Sequence, residues 1–446
     1  MRALREFFQY PSAVVGSLIV LVYILISVYT VVSIPYSEAL QLWRGSEEIV
    51  SSNPRNARPV WVNWFRAETL PATIALNSAE SNENIQIEFN EISDDIDEKI
   101  ITFTFDYDYD TFIPELSFFL EAEFEEKQPF IEFEWITPDG RTIRAGEVTP
   151  GAQETYRPSQ DERVMRRLDA VTAEVGLFLP EEVVEDPTPL RGTYQVRAIG
   201  LLFEEESDYD IRMVMYGAVH GWAGTDHLRR DISVALLWGT PIAMAFGLVA
   251  AIIITASNMI IAAASVWYGG RVDTIIQRIA DVNIILPGLP ILILIGTLYS
   301  RSIWIILGVV ILLGIFGPGI KTYRSIFLQT RELPYIEAAQ AYGANSWRII
   351  FRYLIPRVVP LVIPALVTSV PAFVFTEASL ALLGLGDPVL PTWGKVIENA
   401  RSQGALFNGY YYWMLEPAVL MMLIGIGFAL VGFALDRIFN PKLREI

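Results

Sequence analysis

The stretch Glu337-Ala-Ala-Gln-Ala-Tyr-Gly-Ala-Asn-Ser-Trp-Arg-Ile-Ile-Phe-Arg-Tyr-Leu-Ile-Pro356 is polar, carries arginines, and lies between two long apolar runs. Its spacing predicts a helix, a turn and a second helix. Ala338 and Ala339 are small enough to let another surface approach the first helix. Gly343 permits a sharp change of direction that a side chain would resist. Pro356 opens the next apolar run.

Outward from this stretch the chain is membrane-like. Its 446 residues are 52% hydrophobic with a mean hydropathy of +0.37, above the range of ordinary soluble domains. Uncharged apolar runs occur at Ser12–Val32, Ile232–Gly270, Val282–Ser300, Ser302–Ile320, Val358–Thr376 and Pro417–Leu435. About 20 residues cross the hydrocarbon core as a helix, so the pattern predicts six spans. The first run is too long for the apolar part of a cleavable signal and lacks a small-residue cleavage site after it.

Positive charge assigns the two sides. Arg2 and Arg5 precede the first run, and Arg271 and Arg278 lie between the second and third. Lys321, Arg324, Arg331, Arg348, Arg352 and Arg357 surround the quoted stretch, and Arg437, Lys442 and Arg444 follow the sixth run. The opposite side holds Arg301 between the third and fourth runs and Lys395 and Arg401 between the fifth and sixth. Basic residues mark the cytoplasmic side, which predicts cytoplasmic N- and C-termini and a cytoplasmic 331–356 loop. The 232–270 run reads as one long span, because splitting it would put this loop or the N-terminus outside.

Residues 36–216 differ sharply from the rest. They hold 38 acidic and 15 basic residues, a balance of −23, while the remainder is net +5. The division expected is therefore 1–35 for the N-terminus and first span, 36–217 for an acidic extracytoplasmic domain, and 218–446 for the remaining spans. Within the insertion Ile101–Asp110 alternates at period two, and Pro129–Trp135 and Thr142–Val148 flank the turn signal Pro138-Asp139-Gly140. Asn84–Phe89, Thr193–Phe203 and Asp210–Tyr216 read as further strands and Asp161–Leu179 as helical or mixed, so a β-sandwich is expected. Asp106, Asp108 and Asp110 share a strand face, either solvated or a cation site. The Ca loop pattern fails, with Thr111 and Ser117 where Gly and Glu are needed. His220 and His227 have no metal-ligand pattern around them.

With its full spacing, the Glu337–Pro356 stretch resembles the EAA loop of permease subunits of ABC importers, with Tyr353 and Ile355 replacing the family's Ile and Leu. Four further segments are similar to the oligopeptide/dipeptide/nickel permease branch, its "C"-type subunit. Gly224-Thr-Asp226 with Arg230 and Asp231 matches the segment before span two, where Arg229 replaces Gly. Tyr268-Gly-Gly-Arg-Val-Asp273 with Arg278 and Asp281 matches the turn into span three. Glu377-Ala-Ser-Leu-Ala-Leu-Leu-Gly-Leu-Gly386 and Pro391-Thr-Trp-Gly394 match the region after span five, and Asn440–Arg444 the tail. The acidic insertion has no counterpart in the resemblance, whose usual outer loop is much shorter.

The resemblance implies a mainly α, six-transmembrane-helix permease fold in a prokaryotic inner membrane, here carrying a β-rich, sandwich-like domain between helices 1 and 2. It implies a homologous permease partner forming a heterodimer, two ABC ATPase subunits that bind ATP and Mg, and an extracytoplasmic substrate-binding protein. Glu337, Ala338, Ala339, Gly343, Trp347 and Arg348 would couple to the ATPase. Glu377, a lone acid in an apolar run, and Asp226 and Asp231 are candidates for either the pathway or structural bonding; Asp226 reads as the N-cap of span two. Peptides are the first substrate expected, with oligosaccharides, nickel or other small solutes as alternatives. A membrane-anchored receptor or adhesin is the reading from another class.

No phosphate loop occurs, since Gly394-Lys395 is followed by Val396 and lacks the leading Gly. No catalytic residue set, resident cofactor, metal cluster or nucleic-acid-binding pattern is expected. The chain contains no cysteine, which excludes disulfides and thiol chemistry and makes single-cysteine labelling clean. A cysteine at Asp139 is predicted to react with an impermeant reagent in intact cells, and one at Asn345 only after permeabilisation. The reverse pattern would overturn the orientation.

Overall fold

The computed structural model describes residues 7, 9–45, 51–80, 82–93, 96–181 and 187–439. Arg2, Arg5, Lys442, Arg444 and the Asn440–Arg444 tail therefore lie outside the described residues. The chain forms two compact units, one of residues Gly45–Ser233 and one of Met1–Arg44 with Val234–Ile446.

The second of these is helical. Its elements are α1 (Pro11–Ser33) and α2 (Tyr36–Arg44), then α5 (Ile232–Tyr268) after the two short helices α3 (Glu162–Leu168) and α4 (Ala173–Gly176) of the other unit. There follow α6 (Gly270–Ile285), α7 (Gly288–Leu298), α8 (Ile303–Gly314), α9 (Gly319–Arg331) and α10 (Pro334–Ala341). The last three are α11 (Ser346–Leu385), α12 (Trp393–Ser402) and α13 (Tyr412–Phe439). Four helices, α1, α5, α11 and α13, are each long and apolar enough to cross a membrane, and two bent pairs raise the number to six. At 1.5 Å per residue the 37-residue α5 is roughly 55 Å long, more than one hydrocarbon thickness.

Two expected spans are broken helices. The pair α6 and α7 bends by 72° and the pair α8 and α9 by 43°. Pro287 explains the first break: it has no N–H and restricts Leu286 to extended backbone, observed at ψ 127°. Pro318 begins the second half of the other pair. Broken helices expose carbonyls that lipid cannot satisfy. Here Asn258 donates to the Gly314 carbonyl at 2.9 Å and Asn283 to that of Leu313 at 2.8 Å.

The expected start of span five at Val358 is also corrected, because α11 is helical from Ser346 and passes through Pro356. A π-helical turn at Ile350–Leu354 lies just before that proline, where the wider turn accommodates the missing donor. Glycines set the closest helix approach. A Cβ at Gly16 of α1 would lie 2.8 Å from the Gly427 carbonyl oxygen of α13, and Tyr23 ties the same helices by donating to the Leu420 carbonyl at 2.7 Å.

The other unit is an antiparallel β-sandwich. Its strands are β1 (Ile74–Asn77), β2 (Ile85–Ser93), β3 (Ile96–Tyr107), β4 (Glu115–Glu123), β5 (Phe130–Ile136), β6 (Thr142–Val148), β7 (Gln153–Tyr156), β8 (Gly192–Leu202) and β9 (Asp208–Tyr216). One sheet has the order β1-β9-β4-β7 and the other β2-β3-β8-β5-β6. Period-two alternation sends Ile101, Phe103 and Phe105 of β3 and Ile131, Phe133 and Trp135 of β5 into one core, where they meet Leu116, Phe118 and Leu120 of β4. Phe118 and Phe133 stack across the two sheets with ring centroids 4.4 Å apart.

Sequence periodicity located six of the strands but not β1, β4 or β7. β4, Glu-Leu-Ser-Phe-Phe-Leu-Glu-Ala-Glu, mixes helix-favouring Leu, Glu and Ala with its alternation. Its partners on both sides, β9 and β7, decide the matter. The predicted 138–140 turn is present, with Gly140 at φ 87° and its N–H bonded to the Thr137 carbonyl.

The unit's edges also shift from 36 and 217 to Gly45 and Ser233. Residues Tyr36–Arg44 form α2, whose Ala39 is buried with Trp238, Leu292 and Ile303 of the helical unit. Residues 218–231 stay with the sandwich because they bond to 54–58: Arg58 N–H donates to the Ala218 carbonyl at 2.8 Å and Thr225 N–H to that of Ala57 at 2.9 Å.

Candidate functional site

The Glu337–Pro356 stretch folds as a helix, a turn and a second helix mounted on the helical unit. Pro334 starts α10 without the loss of a needed donor. Gly343 ends it in the left-handed region, at φ 76°, where its N–H bonds to the Gln340 carbonyl and that of Ala344 to Ala339. Asn345 caps α11 by accepting from the Arg348 N–H at 2.8 Å. Ile336 of α10 and Ile349, Ile350 and Leu354 of α11 are buried against Ala262 and Val266 of α5, Ala280 of α6 and Tyr323 and Phe327 of α9.

This mounting sorts the expected coupling residues. Glu337, Ala338, Gly343, Trp347 and Arg348 are exposed. Ala339 is not: it is 7% exposed and turned into the helical unit. The small residue open to an approaching surface is therefore Ala338, and the expectation for Ala339 is corrected, because a helix with Ile336 buried also buries the residue three further on. Sequence reasoning missed Tyr342, 93% exposed, and Phe351, which stacks on Trp347 at 5.1 Å. Exposed aromatic side chains at the turn of a polar helix pair were the available signal.

Ion pairs brace the base of the loop. Arg324 of α9 binds Asp273 of α6 through two nitrogens, at 2.8 and 2.6 Å, while Ser265 also donates to Asp273. Lys321 pairs with Asp281, and Arg331 donates to the Val266 carbonyl at 3.0 Å. Asp273 and Asp281 thus take their partners from the basic helix before the loop.

Before span two, the 224–231 turn is built around a buried ionic knot. Asp226 is wholly buried. Its carboxylate accepts from the N–H groups of Leu228 and Arg230, both at 2.9 Å, and from the Arg230 guanidinium at 2.7 and 2.5 Å. It does not cap α5. Asp231 does, accepting from the Ser233 N–H at 2.8 Å: the cap must immediately precede the first helical residue, here Ile232. Arg229 keeps a left-handed backbone, φ 62°. Its side chain is held by the Asn53 carbonyl at 2.9 Å, Glu115 at 2.5 Å and the face of Tyr216 at 4.4 Å. Those contacts offset the backbone strain of a non-glycine residue there. Burial lowers the pKa of neighbouring His220, and the negative charge of Asp231 opposes that shift.

Glu377 is 8% exposed near the end of α11. It hydrogen-bonds with Thr392 and packs beside Gly394, where a Cβ would fall 3.1 Å from its carboxylate and 2.9 Å from the Ala378 Cα. Trp393 donates to the Leu236 carbonyl of α5 at 2.9 Å and leaves no room for a side chain at Gly239. The Pro391–Gly394 motif is thus a packing joint between α11, α12 and α5. A 370 Å³ cavity lies instead at the second helix break, lined by Thr255, Asn258, Asn283, Tyr323 and Phe373.

The acidic strand face holds no metal cluster among the described residues. Asp110 pairs with Arg191 and accepts from the N–H and hydroxyl of Thr69 at 2.8 and 2.9 Å, bonds that hold its carboxyl below the usual range. Asp108 pairs with Arg191 at 3.1 Å, and Thr193 donates to Asp106 at 2.6 Å.

The helical unit thus joins helices long and apolar enough to cross a membrane to a polar helix pair braced by ion pairs. Residues 257–445 match the family described as binding-protein-dependent transport system inner membrane component. The oligopeptide transport system permease protein OppC of Bacillus subtilis is 33% identical over 226 residues, 50% of this chain and 72% of the relative. The glutathione transport system permease protein GsiD of Pectobacterium atrosepticum is 31% identical over 54% and 79% of the two chains. The dipeptide transport system permease protein DppC of Bacillus subtilis is 30% identical over 50% and 69%. The chain belongs to this permease family, on the peptide-importer branch. It is a transporter subunit and not an enzyme, and the β-sandwich is an insertion between its first helix and the later ones.

The Asp226–Arg230 knot makes a quantitative prediction. Asp226→Ala leaves a buried guanidinium without its carboxylate and should cost about 3–5 kcal/mol, seen as a lower melting temperature of the intact chain. Asp226→Ala combined with Arg230→Met should recover part of that loss. Equal stability of Asp226→Ala and wild type would contradict this placement.

Proposed function

We propose that this chain forms half of the pathway of an ATP-driven, binding-protein-dependent importer of peptides. A homologous permease would supply the other half, two ATPase subunits would bind ATP with Mg, and an extracytoplasmic binding protein would deliver the substrate. The names of the relatives support the peptide reading. The charge distribution supports an inner-membrane orientation with the N- and C-termini and the 331–356 loop cytoplasmic and the acidic sandwich outside.

One observation carries the coupling role. Glu337, Ala338, Tyr342, Trp347, Arg348 and Phe351 are exposed together on two helices whose opposite sides are buried in the spans. An ATPase docked there would act on a lever rather than on a loose loop. Force on α10 passes through Ile336 into the core shared by α5, α6, α9 and α11. The Asp273–Arg324 pair keeps α6 and α9 moving as one body. Alternating access then follows as rocking of packed helices between two arrangements. The breaks in α6–α7 and α8–α9 supply the bends, and at the second of them asparagines already satisfy the carbonyls. Glu377 acts in this reading as a structural anchor between α11 and the segment after it. The sandwich serves as a docking or capping element for the binding protein.

Two exposed positions test the coupling surface. Ala338→Trp adds bulk on the docking face, and Gly343→Asp puts a charge at the turn. Each should leave membrane insertion intact while lowering ATPase co-purification and transport by about 10-fold or more, as a centrally placed interface residue does. Wild-type ATPase retention and transport in both variants would refute the assignment. Ala339 is unsuitable for this purpose, since its substitution would disturb the helical unit itself.

A further inference from the structure

The outer face of the sheet β1-β9-β4-β7, turned away from the sandwich core, borders a groove of about 750 Å³. Alternation places Asp210, Arg212 and Tyr216 of β9 on this face, with Glu115, Phe119 and Glu121 of β4 beside them; register pairs Arg212 with Phe119 and Asp210 with Glu121. Although residues 36–216 carry an excess of 23 negative charges, three arginines converge here: Arg157, Arg212 and Arg229.

Their partners differ in a way that points to a ligand. Arg157 and Arg229 share one carboxylate, Glu115, at 3.4 and 2.5 Å. Arg212 has no carboxylate within 4 Å among the described residues. It lies over the Phe119 ring at 4.7 Å, and among the described residues its guanidinium donates to the hydroxyls of Ser52 and Ser51, at 3.3 and 2.6 Å. A guanidinium oriented by a ring and two hydroxyls keeps its charge available for a carboxylate, the anion whose shape its fork matches. The next outward residue of the strand, Asp210, accepts from Ser78 at 2.7 Å and stands beside Glu121. Two residues of β-strand separate opposite charges by roughly 7 Å, and the run from Asp210 to Tyr216 is roughly 20 Å long. The groove is therefore dipolar, has the Phe119 ring on its floor, and is long enough for about five extended residues.

We propose that this groove binds a short extended peptide by its free C-terminal carboxylate. Arg212 takes the carboxylate, the Asp210–Glu121 pair attracts the peptide's cationic groups, and Phe119 offers side-chain contact without sequence selection. The inserted domain thus holds substrate as well as connecting two spans. The choice of peptide as ligand rests on the importer reading above, whereas the carboxylate requirement rests on the groove alone.

The test uses the full chain in lipid nanodiscs, without binding protein, titrated with pentaalanine and with its C-terminal amide. Wild type should bind the free acid about 10-fold more tightly than the amide, as a charge-assisted bond requires. Arg212→Gln should lose that preference, Arg212→Lys should keep part of it, and Phe119→Ala should weaken both peptides alike. Unchanged sandwich melting in each variant establishes that the fold is intact. Equal affinity for acid and amide, unaltered binding by Arg212→Gln, binding of acetate as tightly as peptide, or no peptide binding would each overturn the groove assignment. Uptake by the complete transporter is measured in parallel. Peptide uptake without groove binding refutes this inference alone, while uptake of a different solute class and none of peptides refutes the importer reading.

Discussion

Hydrocarbon offers the backbone no hydrogen-bond partner, and the helical unit is organised by that constraint. A chain that kept every span straight would satisfy it trivially. This one bends two spans and threads prolines through a third, so each freed carbonyl or lost donor needs a local answer. Asn258 and Asn283 reach the carbonyls of Gly314 and Leu313 at one break. A π-helical turn precedes Pro356. These answers make the bends stable features of the fold.

The cytoplasmic-type loop depends on those bends. Because α9 leaves the second break at an angle to α8, its basic face meets α6 and the Arg324–Asp273 pair can close. The same helix contributes Tyr323 and Phe327 to the core under α10. A docking face with no such support would move without moving the spans. Here displacement of α10 must be shared by α5, α6, α9 and α11, because close-packed side chains yield little independently.

The sequence disclosed the elements whose signals are local. Long apolar runs announced the spans, period-two alternation announced β3, β5 and β8, and the Glu337–Gly343–Pro356 spacing announced the helix pair. What escaped depends on partners distant in the chain. β4 reads as mixed until β9 and β7 flank it. The cap of α5 reads as Asp226 until Arg230 claims that carboxylate and Asp231 falls at the helix start. Ala338 and Ala339 look equivalent until the burial of Ile336 fixes which of them faces outward. The groove was the least legible feature, since Arg157, Arg212 and Arg229 are scattered along the chain and only sheet register and the 224–231 turn bring them to one face.

The central claim is that the exposed helix pair is where ATP-driven motion enters the spans. The chain has no cysteine, so a single cysteine at Tyr342, 93% exposed on that face, gives an unambiguous cross-linking probe, with a cysteine at Phe407, 98% exposed between α12 and α13, as its counterpart. Short-arm cross-linking in native membranes should join the Tyr342 position to an ATPase subunit, with a yield that changes when nucleotide is added, and should leave the Phe407 position unlinked to it. Capture of the ATPase from Phe407, or none from Tyr342 in an assembled and active complex, would contradict the account.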